Sequence, residues 1–138
     1  MMLTTAATCL ALTVYHEARG EPNDGQLWVA EVVVNRVKHP DYPDTVCGVV
    51  TEHRTPVSRP RACQFSFHCD GVSDKPREGA AWEKAKRIAE QTLEGTVLGT
   101  NATHYHAKSV RPSWAKRLIL VGSAGSHVFY SDGKLDNE

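Results

Sequence analysis

The chain has 138 residues, 41% of them hydrophobic and 23% charged, which suits one folded domain with its own core. Lys plus Arg equals Asp plus Glu at 16 each, so no net field favours nucleic acid or an anionic membrane. No apolar run approaches the about 20 residues that span a bilayer.

The opening "MMLTTAATCLALTV" has the look of an export signal but lacks its parts. Its first positive residue is Arg19, and no small-x-small cleavage site precedes "YHEARGE". A structural helix from Thr5 to Arg19 is expected instead, and no export signal. Ala7, Leu10, Ala11, Val14 and Ala18 recur at three- and four-residue steps, with Thr4 or Thr5 as cap. Gly20 and Pro22 stop it.

"EPNDG" is a loop whose Asp24 is placed to cap a second helix, Gln26 to Lys38. Leu27, Val29, Ala30, Val32, Val33, Val34 and Val37 make that helix apolar almost all round, so it belongs in the middle of the domain. "TVCGVV" reads as a short helix or buried turn. A basic, proline-containing loop follows over residues 51–62, and "CQFSFHC" alternates as a half-buried strand or hairpin arm would. A third long helix is expected from Gly79 to Glu94. Trp82, Ala85, Ile88, Ala89, Thr92 and Leu93 point inward there, and Gly95 ends it. "ATHYHA" and "SHVFYS" read as extended, while "PSWAKRLILVG" is ambiguous. The expected fold class is α+β: a single, mainly helical domain over residues 1–138 with a small β-hairpin element.

Four cysteines permit three fully paired connectivities. Cys9, inside the first helix, is expected as a buried thiol. A bridge is expected among Cys47, Cys63 and Cys69, formed after exposure to an oxidising compartment. A structural zinc site with His68 fits no standard spacing.

Chemistry concentrates at the end of the first helix. Leu10, Val14 and Glu17 fall at i, i+4 and i+7, so Glu17 shares the core stripe one turn before the helix stops. Desolvation raises a carboxyl pKa and makes an acid available for protonating a glycosidic leaving oxygen. A purely structural Glu neutralised by Arg19 or Arg36 is the alternative. His16 points about 100° away around the helix and is expected to be structural. Glu21, in the loop, is suited to holding a backbone N–H or standing in water.

These residues also carry a resemblance. "YHEARGEPNDGQLWVAEVVVNRV", "YPDTVCGVV", "CQFSFHCDG", "THYHA" and "SHVFY" resemble the SleB-type cell-wall hydrolases, whose founding members are spore cortex-lytic enzymes. The likeness runs from about Thr5 to Tyr130. It implies a lysozyme-like, lytic transglycosylase-like domain. Such a domain cuts the β-1,4 bond between N-acetylmuramic acid and N-acetylglucosamine in peptidoglycan. The family's catalytic glutamate falls on Glu17.

The resemblance further implies that Glu17 serves alone as acid and then base, leaving a 1,6-anhydro end. Glu21 and Asp70 are the second carboxylates available to a hydrolytic muramidase. Gln64 and Ser66 share the polar face of "CQFSF", which the resemblance sets beside Glu17, and are expected substrate contacts. Tyr105 is expected to touch glycan or support Glu17, and His106 and Glu21 complete the candidate binding residues. No cofactor or metal is implied. The expected partner is the glycan strand, with no nucleic acid, no stable membrane insertion and a monomeric working unit.

Two other classes compete. His104, His106 and His127 together would make a three-histidine zinc site, hence a metal-dependent amidase or peptidase. A glycan-binding domain without turnover is the non-enzymatic option. A lone domain without an export signal fits a phage endolysin, made in the host cytoplasm and acting on the wall after release. The catalytic domain of a bacterial enzyme taken alone would look the same. No separate wall-binding domain is expected.

Overall fold

The computed structural model describes residues 5–52, 65, 67 and 75–135. Among them, helices α1 (Thr5–Ala18), α2 (Asn23–Lys38), α3 (Val46–Val50) and α4 (Gly79–Glu94) precede a small sheet. Strands β1 (His104–Ala107), β2 (Ile119–Ala124) and β3 (His127–Ser131) form it, antiparallel in the order β1-β3-β2. A 3-10 helix, Ser113–Arg117, lies between β1 and β2. The architecture is α+β and mainly helical, as expected. No described helix is long and apolar enough to cross a membrane.

The two-sided apolar pattern of α2 places it between both layers. Leu27, Ala30 and Val33 join Leu10, Val14, Ile88 and Phe65 in a helical core. Val29 and Val32 turn the other way, to Ala102, Ala124 and Phe129 beneath the sheet. One helix therefore fixes the sheet relative to α1, and the acid at the end of α1 relative to β1.

Several local expectations are corrected. Helix α2 begins at Asn23, right after Pro22, whose fixed φ of −58° suits a helix start. Asp24 is thus inside the first turn, with no side-chain cap, and its carboxylate accepts from the Gly25 amide at 2.9 Å. Leu93, expected inward, is 37% exposed, because the buried face of α4 is carried by Ala85, Ile88, Ala89 and Thr92. Phe65 sits in a bend and Phe67 in a 3-10 turn, so they do not belong to a strand. Both rings still enter the core, 6.4 Å apart. Burial alone produces their alternation.

The cysteine expectation fails more fully. Cys9 is bonded to Cys47, with Cα atoms 5.3 Å apart. The short helix α3, capped by Thr45 through its hydroxyl and the Gly48 amide, packs on α1 and brings the two together. Cys9 is therefore no thiol, and Cys47 is not available to Cys63 or Cys69. Those two cysteines and His68 lie outside the described residues.

Candidate active site

Glu17 is half-buried in the last turn of α1, on the stripe that buries Leu10 and Val14 completely. The hydroxyl of Tyr105 donates to its Oε1 at 2.5 Å. Tyr105 stands on the inner face of β1, against Phe129 at 5.5 Å and His127 at 5.2 Å between ring centroids. Burial, and then the adjacent Glu17 charge, push the Tyr105 phenol well above its ordinary pKa. Tyr105 therefore keeps its proton and acts as a donor.

Three polar residues of α2 hold the chain that leads into β1. Glu31, fully buried, accepts from the amides of Leu98 at 2.6 Å and Thr100 at 3.0 Å. One turn later Asn35 donates to the carbonyls of Thr100 and Ala102, both at 2.9 Å. Arg36 donates through Nε to the Thr103 carbonyl at 2.8 Å and lies over the rings of Tyr42 and Phe65. The segment 98–103 forms no strand, so these bonds satisfy backbone groups that a ladder would otherwise take. Sequence reasoning missed all three. A glutamate in the centre of a nearly all-apolar helix was the signal.

Gln26 was also missed. Its Nε2 reaches back to the carbonyls of Ala18 at 3.1 Å and of Arg19 and Glu21 at 3.4 Å, closing the end of α1 just after Glu17. The preceding Gly25 is closely packed, since a Cβ there would lie 3.2 Å from the Glu21 Cβ.

Glu21 holds a backbone N–H, as its loop position suggested. Its two oxygens accept from the amide and hydroxyl of Ser126, at 2.7 and 2.8 Å, and His127 Nδ1 lies 3.4 Å away. Burial raises its pKa, but the Ser126 donors and then His127 outweigh that and hold it below the ordinary range. Glu21 thus ties the α1–α2 loop to the turn between β2 and β3. Gly125 in that turn has φ +56°, and a Cβ there would strike the Glu21 carboxylate.

His106 is not brought to Glu17. Side chains alternate across a strand, so it faces the opposite side of β1 from Tyr105. There its Nε2 meets the Tyr130 hydroxyl at 2.9 Å, and its ring packs near Trp114. His104 shares that side, also near Trp114, whereas His127 contacts Tyr105 and Glu21 on the inner face. The three histidines expected of a zinc site are thus divided by the sheet. No group of metal-ligating side chains occurs among the described residues. His16 stacks on Phe67 at 4.7 Å, a packing role. Arg19 turns from Glu17 to the Tyr15 hydroxyl at 2.7 Å. Gln64, Ser66 and Asp70 lie outside the described residues.

A mainly helical domain with one held carboxyl at a helix end, facing a small sheet, is a lysozyme-like arrangement. The chain belongs to the cell wall hydrolase family, whose model matches residues 20–130, starting just beyond Glu17. It is 51% identical over 122 residues to a spore cortex-lytic enzyme of Bacillus subtilis, covering 87% of this chain and 35% of the relative. A spore cortex-lytic enzyme of Oceanobacillus iheyensis is 34% identical over 122 residues, with 87% and 39% covered. The chain thus spans well under half the length of these relatives. Among solved structures it is similar to the catalytic domain of the germination-specific lytic transglycosylase SleB from Bacillus anthracis. There the TM-score is 0.73 at 29% identity, covering 94% of this chain and 97% of that one. The catalytic domain of the Bacillus cereus SleB protein gives a TM-score of 0.68 at 28% identity, with 94% and 93% covered.

Proposed function

We propose that this chain cleaves the β-1,4 bond between N-acetylmuramic acid and N-acetylglucosamine in peptidoglycan, as a lytic transglycosylase with Glu17 as acid and then base. The observation that carries the proposal is the Tyr105–Glu17 hydrogen bond. It engages Oε1 and leaves Oε2 as the atom that exchanges a proton with substrate.

In the first half-reaction Glu17 gives its proton to the glycosidic oxygen. The C1–O bond breaks and the muramic ring develops oxocarbenium character, which its 2-acetamido group can support. The Glu17 carboxylate then takes the proton of the same sugar's C6 hydroxyl while that oxygen bonds to C1. A 1,6-anhydro end results, no water is consumed, and Glu17 is again protonated. A hydrolytic muramidase usually pairs its acid with a second carboxylate, to position water or attack C1. Glu21 is poorly placed for that work, since both its oxygens are held by Ser126.

Digestion of purified sacculi followed by mass spectrometry tests the reaction. Muropeptides one water lighter than the reducing species are expected, and Glu17→Gln is expected to release none. Reducing ends only would replace the transglycosylase by a muramidase.

A further inference from the structure

The outer face of the sheet carries a groove of about 630 Å³, on the side of β1 away from Glu17. Its floor is made by Val128 and Tyr130 of β3 and by Gly122 of β2, whose other side is packed against Trp28. Val110 and Leu120 flank it and are 49% and 65% exposed. Lys108, Arg111 and Lys116 line it, and none of its lining residues is acidic.

The charge is segregated, not incidental. The whole protein is balanced at 16 basic and 16 acidic residues, yet between Glu94 and Asp132 there are four cations and not one carboxylate. Lys108, Arg111, Lys116 and Arg117 are those cations.

From this we infer that the groove is a second substrate subsite, which binds the acidic, alanine-containing peptide stem carried by the muramic acid. This rests on the peptidoglycan assignment above. In a stem-bearing strand the lactyl carboxyl of each muramic acid is taken up in the amide to the stem. The sugars therefore hold no charge that a cationic rim could use, whereas the stem presents carboxylates and small methyl groups. Cations match the first, and the exposed valine and leucine match the second. Access is short. Tyr105 and His106 are consecutive residues on opposite faces of β1, and β1 is an edge of the sheet. A stem of four extended residues reaches about 13 Å. Among the described residues the β1 edge is the side over which a stem would pass from a glycan at Glu17 to the groove.

The test uses the whole chain carrying Glu17→Gln, with a fluorescent stem tetrapeptide read by anisotropy. Replacing Lys108, Arg111 and Lys116 together by Gln should weaken binding about tenfold, as expected for three exposed ion pairs. Lys116→Gln alone, on the exposed 3-10 helix, should weaken it about twofold and guards against misfolding of the triple variant. In turnover by the Glu17 parent, the triple variant should raise the half-saturating amount of intact sacculi. It should affect the rate on amidase-stripped glycan, whose carboxylates are the lactyl groups on the strand itself, far less. The proposal falls if tetrapeptide binding ignores the triple variant. It also falls if stripped glycan is affected equally, or if duplex DNA or a teichoic acid phosphate polymer binds the groove more tightly than the tetrapeptide. Peptide binding is measured without turnover, so a failure of the cleavage assignment would be seen separately, as lysis persisting in Glu17→Gln.

Discussion

Tyr105 and Glu17, 88 residues apart in the chain, meet through a 2.5 Å hydrogen bond in which the phenol is the donor. The bond joins the helical layer to the sheet at the carboxyl proposed to deliver the proton. It also fixes which carboxylate oxygen is free.

Removing that donor should separate catalysis from binding. For Tyr105→Phe, kcat on sacculi should fall by about 10- to 100-fold, the size of one lost hydrogen bond to a charged group. KM should change little, because the ring and its packing on Phe129 remain. Steady-state kinetics decides, and an unchanged kcat would remove Tyr105 from the mechanism.

The Glu21 latch predicts a pH-dependent stability. Its carboxyl is held below the ordinary range in the folded protein. Its contribution is therefore complete above the unfolded-state pKa of about 4.3 and disappears as pH falls through the lower folded value. Glu21→Gln should destabilise by about 1–2 kcal/mol near neutrality, and the gap should close in acid. Denaturant melts across pH measure this. Gly125→Ala should also loosen the turn, since its Cβ would meet the same carboxylate in a left-handed backbone.

Glu31 is the most exacting of the buried polar groups. Glu31→Gln keeps one acceptor oxygen but sets an amide against one of two backbone N–H groups. A loss of about 2 kcal/mol is expected. Activity should fall as well, because the affected segment feeds β1. Amide hydrogen exchange at Leu98 and Thr100 should quicken ahead of global unfolding.

The disulfide closes a loop with a sequence separation of 38. Chain-entropy bookkeeping assigns such a loop about 3–4 kcal/mol, and reduction should lower Tm by about 10 °C at this chain length. A Cys9→Ser, Cys47→Ser double variant should melt about 10 °C below the oxidised parent even without reductant.

Most of the helical layer was legible because periodicity reports directly on burial. The ranges of α1 and α4, the all-round apolarity of α2 and the extended nature of "ATHYHA" and "SHVFYS" follow from residues close in sequence. The placement of Glu17 on the core stripe is of the same kind. Strand β2 was ambiguous because Ile119 and Leu120, neighbours on opposite faces, are both exposed, so no alternation marks them. The Cys9–Cys47 bond depends on how α3 crosses α1, which no spacing reveals. Glu31, Asn35, Arg36 and Gln26 were hidden for a related reason. Their partners are backbone atoms of distant segments, and backbone atoms leave no trace in composition.

That last property has its own consequence. Glu31, Asn35 and Arg36 grip amides and carbonyls, which every residue other than proline supplies in full. The side chains of Thr100 and Asn101 can therefore change over generations, as long as Gly99 keeps its left-handed φ of +67° and proline avoids the two gripped amides, while Tyr105 stays where Glu17 can find it. A family can rewrite the approach to its active site and keep the same address.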